Sequence, residues 1–259
     1  MSAVTDGPHL ESRRRDGVLR LARSGSKWLS TGWNGGRQRA DCAYNVSVPE
    51  GWGRTDLEAY AAERLERAGF ECPGPVLFTG VDVVDARGAH CGPVTAYATA
   101  GVSNPAALPM EPSGGSLESS TVGGSDADSP AGTVNVVVYA DRRLADGALA
   151  NLLAVAAEAK AATLLAETGF PGTTTDAIIV GHDPDGQPAA FSGSATPVGA
   201  ATRACVRDAV RASLHAHYRP DSDVECPDSL EDAAYGVSTD VRAQVLEPGL
   251  EVADGEPER

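Results

Sequence analysis

Apolar positions alternate most regularly in GTVNVVVYA, residues 132–140. Val134, Val136 and Val138 share one face, and Thr133, Asn135, Val137 and Tyr139 share the other. Apolar residues on both faces predict a strand covered on both sides. Thr133 and Asn135 then stand at the start of a buried strand, where polar groups need partners. Residues 141–146 read as a turn with Asp146 as N-cap. Helical spacing follows over residues 147–168, and Gly169 reads as the helix terminator.

The same reading extends along the chain. Strands are expected at 42–48, 76–86, 93–99 and 177–180. HDPDG (182–186) reads as a hairpin turn that returns as 189–192. Thr55, Asp56, Leu57 and Glu58 form a capping-box pattern ahead of a helix whose core stripe is Leu57, Tyr60, Ala61, Leu65 and Ala68 and which ends at Gly69. A last helix runs from Thr196-Pro197 to about Tyr218. The order of elements predicts an α/β (α+β) domain over residues 18–218, a mixed β-sheet core with helices packed on both sides. Residues 1–17 read as a flexible arm and 111–131 as a polar, low-complexity insertion. Residues 219–259 read as an acidic, largely irregular and disordered tail, with a short helix at 229–235.

Composition narrows the setting. The formal net charge of −15 repels phosphate, so no nucleic acid partner is expected. No apolar run approaches 18 residues, so no membrane span is expected. The N-terminus has no apolar core behind its arginines, so no signal peptide is read there. The five cysteines show no CxxC spacing and read as reduced thiols of a cytoplasmic protein. Acidity with few lysines suits a cytoplasm of very high salt.

Lysine is nearly absent: only Lys27 and Lys160 occur among 21 basic residues. Lys160 falls on the apolar face of its helix with Leu149, Leu153, Ala156 and Leu164. An amine kept there is a candidate base or hydrogen-bond donor, or a stem packed on the core with its tip in water. Glu158 projects from nearly the opposite side and needs a different partner. No dinucleotide, P-loop or GxSxG motif occurs. His215 and His217 lie two apart on a helix and make a poor metal pair. No metal site and no cofactor is called for.

Five short motifs occur in order: the NGG of Asn34, Gly35 and Gly36; the turn Thr99-Ala100-Gly101-Val102-Ser103-Asn104; the strand start Gly132-Thr133-Val134-Asn135; Glu158-Ala159-Lys160; and Gly172-Thr173-Thr174-Thr175-Asp176. Together, over about residues 28–218, this set resembles the archaeal adenosylcobinamide amidohydrolases. The resemblance implies hydrolysis of the amide that joins a corrin propionyl side chain to aminopropanol, yielding adenosylcobyric acid. The substrate would be a small-molecule corrinoid; the oligomeric state is left open. A second, weaker likeness, to self-processing β-aminopeptidases, implies an αββα-like sandwich with the nucleophile position on Thr133.

Amide hydrolysis needs a nucleophile, an oxyanion stabiliser and an acid for the leaving amine. The expected scheme takes Thr133 as nucleophile, with Ser103 as its rival, and Lys160 as base or orienting group. Asn135 or Asn104 would stabilise the oxyanion. Glu158 and Asp176 would bind substrate or position the nucleophile. Asn34, Gly35, Gly36, Thr99, Gly101, Asn104, Gly172, Thr173 and Thr175 would line the substrate site. Two other functions fit: a non-catalytic corrinoid binder stacking its ligand on Trp28, Trp33, Trp52 and Tyr97, and a small-amide peptidase.

Overall fold

The computed structural model describes residues 10–49, 52–117, 132–222, 224–233 and 235–248. Two antiparallel hairpins come first, β1 (Glu11–Arg15) with β2 (Val18–Ala22) and β3 (Lys27–Ser30) with β4 (Gly36–Arg39). Then follow β5 (Cys42–Ser47), α1 (Leu57–Arg67), β6 (Val76–Thr79), a 3₁₀ turn (Val83–Asp85) and the hairpin β7 (Arg87–Cys91)–β8 (Val94–Ala100). Short β9 (Ala106–Ala107) precedes β10 (Val134–Leu144), α2 (Asp146–Thr168), β11 (Ala177–Ala189), α3 (Pro197–His217) and β12 (Val237–Ser238).

These elements stack in four layers. One sheet has the order β1-β2-β5-β6 and the other β4-β3-β11-β10-β8-β7. Leu19, Leu21, Ala43 and Leu77 of the first sheet meet Trp28, Val137, Tyr139 and Ile179 of the second. Outside the small sheet, Tyr60 and Ala61 of α1 cover Val18, Tyr44 and Val46. Outside the large sheet, α2 and α3 cover Val134, Val136 and Val138. The alternation read in 134–138 thus divides the valines between two cores, giving an α/β/β/α sandwich.

Helix ends follow local chemistry where a partner exists. The Thr196 side chain caps α3 by accepting the Gly199 N–H at 3.0 Å, and Gly169 ends α2 in a left-handed conformation with φ 78°. Asp146 is not the N-cap of α2: that position is Ala145, and the Asp146 carboxylate instead accepts from Arg37 at 2.9 Å. Asp56 is the N-cap of α1 but makes no side-chain cap bond. Its carboxylate is taken by Arg54, so the capping box does not form.

Other expectations change with the pairing. Residues 11–15, read as part of a flexible arm, are paired along β2. The expected strand over 76–86 stops at Thr79 and turns through the 3₁₀ segment. The turn expected at 141–146 gives way to a strand continuing to Leu144. HDPDG is no hairpin turn. Ala140 pairs with His182 and Arg142 with Gln187, so 183–186 bulge out while β11 continues parallel to β10. His182 Nδ1 accepts the Leu144 N–H at 3.2 Å, and Arg23 grips Asp183 at 2.6 Å. In the tail, 229–235 shows turns rather than helix in its described residues, and β12 pairs with β9. Residues 118–131 of the expected insertion, and the end of the tail from 249, lie outside the described residues. Helix α2 is long and apolar enough to cross a membrane by composition, but half of that window is buried inside the fold, so this is weak evidence of a span.

Candidate active site

The first residues of β10 and β11 lie side by side because the two strands run parallel, with Asn135 opposite Ala177. Loops meeting there bring together Thr133, the 172–176 turn, the 101–104 turn and Lys160 of α2. Asp176 is the hub. Its Oδ1 accepts the Val134 N–H at 2.9 Å and the Thr173 hydroxyl at 2.5 Å. Its Oδ2 accepts the Thr173 N–H at 3.1 Å and pairs with Lys160 Nζ. The side chains of Lys160 and Asp176 are 10% and 11% exposed. An isolated buried carboxylate is costly, so these bonds and the ammonium are what keep it there. Gly172 makes the approach possible, since a Cβ there would lie 2.7 Å from Asp176 Oδ2.

Thr133 is buried, and its Oγ1 is 3.1 Å from that of the exposed Thr175. Thr175 Oγ1 also donates to Gly132 O at 3.2 Å. On the other side, Gly132 lies against Ser103 and Asn104. A Cβ at 132 would be 2.4 Å from both Ser103 Oγ and Asn104 Oδ1, and 2.6 Å from the Ser103 nitrogen. Asn104 Nδ2 donates to Thr174 Oγ1 at 2.6 Å, while its buried Oδ1 has no partner. Gly101 N–H donates to Thr133 O at 3.3 Å.

Two expected members play other parts. Asn135 lies between the sheets, where Nδ2 donates to Asn45 Oδ1 at 3.0 Å and to Phe78 O at 2.8 Å, and Oδ1 accepts the Ala177 N–H at 3.2 Å. Both of its donors are engaged, so it stitches the sheets together and offers none to an oxyanion. Asn45 in turn donates to Thr99 Oγ1 at 2.8 Å, and Thr99 to Thr79 Oγ1 at 3.3 Å. Thr99 is therefore part of this buried network rather than a substrate contact. Glu158 points away from the cluster and pairs with Arg203 of α3 at 3.4 Å on the surface.

Lys160 and Thr133 approach the site from different sides. Alternation puts Thr133 on the face between the sheets, whereas Lys160 comes from the helix layer; Asp176 pairs with Lys160 and accepts the N–H of Val134, the residue after Thr133. The NGG loop is fixed near the same end by Thr31, whose Oγ1 accepts the Ile178 N–H at 2.9 Å. Asn34 and Gly36 take positive φ of 49° and 96° there, and Trp33 is 37% exposed beside Phe78. Trp28 is buried against Tyr139 and unavailable for stacking. Sequence reasoning missed Asn45 and Thr79; the one signal was a polar residue inside an apolar strand pattern.

A family model described as adenosylcobinamide amidohydrolase matches residues 1–221. The chain is 57% identical over 241 residues to an adenosylcobinamide amidohydrolase of Halobacterium salinarum, covering 92% of this chain and 99% of that one. A protein of the same name from Methanosarcina mazei is 30% identical over 197 residues, covering 72% and 88%. Among solved structures, the PH0078 protein of Pyrococcus horikoshii OT3 superposes with a TM-score of 0.41 at 12% identity, over 79% of this chain and 78% of that one.

Proposed function

Because the chain belongs to the adenosylcobinamide amidohydrolase family, we propose that the cluster at the heads of β10 and β11 is where it carries out that family's reaction. The protein is an amide hydrolase of corrinoid salvage. It cleaves the aminopropanol amide of adenosylcobinamide, releasing adenosylcobyric acid and 1-amino-2-propanol.

The observation that carries the siting is the buried hydroxyl of Thr133, beside Thr175 and next to the backbone N–H that Asp176 holds. In this reading the Thr133 oxygen attacks the substrate carbonyl carbon, and an acyl-enzyme ester forms as the C–N bond breaks. Water then hydrolyses the ester. Lys160 acts as an orienting charge: paired to Asp176, it holds the carboxylate in place, and the carboxylate fixes Thr173 and the first N–H of β10. The Ser103 N–H beside Gly132 is a donor for the developing oxyanion. Residues 103–104 and 172–175 line the substrate side, and the NGG loop with Trp33 faces the larger part of the corrinoid. A cytoplasmic setting is part of this proposal; the free thiols among the described residues support it.

The test is to incubate the purified protein with adenosylcobinamide and follow both products by mass spectrometry. Release of aminopropanol is expected. Binding of the corrinoid without release would return the protein to the class of non-catalytic binders.

A further inference from the structure

Amide cleavage needs a group that moves a proton from the attacking hydroxyl to the departing amine, and Lys160 is committed to Asp176. A histidine stands one strand away. The register of β10 on β8 sets Val134 opposite Ala100, so Thr133 is the cross-strand neighbour of Gly101. Such neighbours project to the same face, with Cβ positions roughly 4.5–5.5 Å apart. Gly101 has no Cβ, and the place one would take lies 3.0 Å from His217 Nε2 and 3.2 Å from its Cδ2. The imidazole reaches into the space that a side chain at 101 would occupy, beside the strand head that carries Thr133.

The other ring nitrogen is held. His217 Nδ1 is 3.2 Å from Asp85 Oδ2, with the His217 and Asp85 side chains 17% and 9% exposed. Arg219 donates to Asp85 Oδ1 at 3.3 Å. The Asp85 carbonyl accepts the Ser213 hydroxyl at 2.9 Å, and Ser213 Oγ accepts the Ala100 N–H at 2.9 Å. The 3₁₀ turn, the end of α3 and the end of β8 are thereby locked to one another. A carboxylate that orients an imidazole toward a hydroxyl is the arrangement that activates weak nucleophiles.

We propose that His217, oriented by Asp85, is the acid–base residue of the hydrolysis at Thr133. The inference rests on the siting of the reaction at Thr133. His217 Nε2, directly or through one water, takes the proton from Thr133 Oγ as the C–O bond forms. It gives that proton to the amine nitrogen as the C–N bond breaks. In the second step it takes a proton from the attacking water and returns it to Thr133 Oγ as the ester opens.

His217→Gln is expected to lower kcat by about 10²–10⁴-fold with KM within about threefold. The fall of native kcat/KM at low pH is expected to vanish in the variant. The other groups facing His217 are Asp85, Arg219 and Tyr218, and burial holds Tyr218 up at about 12. Added imidazole is expected to restore part of the activity of His217→Ala. Should both His217 variants fail to fold, Gly101→Ala serves: its methyl group would meet Val81 Cγ2 at 2.8 Å and His217 Nε2 at 3.0 Å, and a comparable loss of kcat is expected. The proposal is overturned by a folded His217→Gln with near-native kcat while Thr133→Ala is dead. An active Thr133→Ala overturns the siting itself, and this inference with it.

Discussion

Lys160 and Asp176 form an ion pair with about nine-tenths of each side chain out of water, at the heads of two parallel strands. The same carboxylate holds the N–H next to Thr133 and both the N–H and hydroxyl of Thr173. One buried charge thus organises three segments far apart in sequence.

Removing one partner leaves the other charge buried and uncompensated. Lys160→Met or Asp176→Leu alone is expected to cost about 3–5 kcal/mol, read from urea midpoints. The double variant is expected to recover part of that stability and none of the activity. Additive losses, with the double variant destabilised by the sum of the two singles, would mean that the pair is not coupled.

Thr133→Ala is expected to lower turnover by at least roughly 10³-fold while circular dichroism and Tm stay near native. Thr133→Ser keeps a hydroxyl beside Thr175 and is expected to retain measurable turnover. Single-turnover product release measures both. Comparable activity in Thr133→Ala and Thr133→Ser would remove the hydroxyl from the chemistry.

Gly172→Ala probes geometry without changing charge. Its Cβ would lie 2.7 Å from Asp176 Oδ2, so the carboxylate must shift. A loss of kcat of about tenfold or more is expected, with a small change in Tm. Gly147→Ala meets nothing within 4 Å and is the control, expected to be silent.

Stability is expected to fall in two stages on acidification. Burial pushes His182 below its ordinary value of about 6.5. As pH drops through that value the unfolded chain takes up a proton that the folded His182 refuses, so stability declines. For Asp183, burial alone would raise the pKa, but Arg23 at 2.6 Å outweighs it and the carboxylate is held below its usual range. Its contribution is complete above about 4 and is lost as pH falls through the depressed folded value. Tm measured from pH 8 to 3 should show both stages. His182→Gln should flatten only the upper one; an unchanged upper stage in that variant would assign it elsewhere.

Much of the fold could be read from local pattern. Strands β5, β8 and β10 carry buried faces and announce themselves by alternation, and α1, α2 and α3 by helical spacing. Strands β1, β4 and β7 did not: ESRRR, GRQR and RGAHC are almost wholly exposed, without an apolar face to mark them. They exist because a neighbouring strand offers a ladder. HDPDG uses residues common to turns and bulges alike, and only pairing with β10 decides between them. In the site, Thr133, Lys160, Gly172, Thr173, Thr175 and Asp176, which lie together in the structure, were each named from the sequence, whereas Asn135 is engaged between the sheets and Glu158 pairs with Arg203 on the surface, away from the parts expected of them. His217 was set aside because its sequence neighbour His215 makes no pair with it; its partner Asp85 is 132 residues away.

The order of amino acids alone determined the helices, strands β5, β8 and β10, the acidic composition and the family, since each is written in neighbouring residues or in an ordered set of short motifs. Tertiary structure alone decided that Asp176 joins Lys160 to the head of β10, that Asn135 is spent between the sheets, and that His217 reaches Gly101. Those contacts depend on strand register and layer packing, which sum weak interactions over the whole domain, and no local period encodes them.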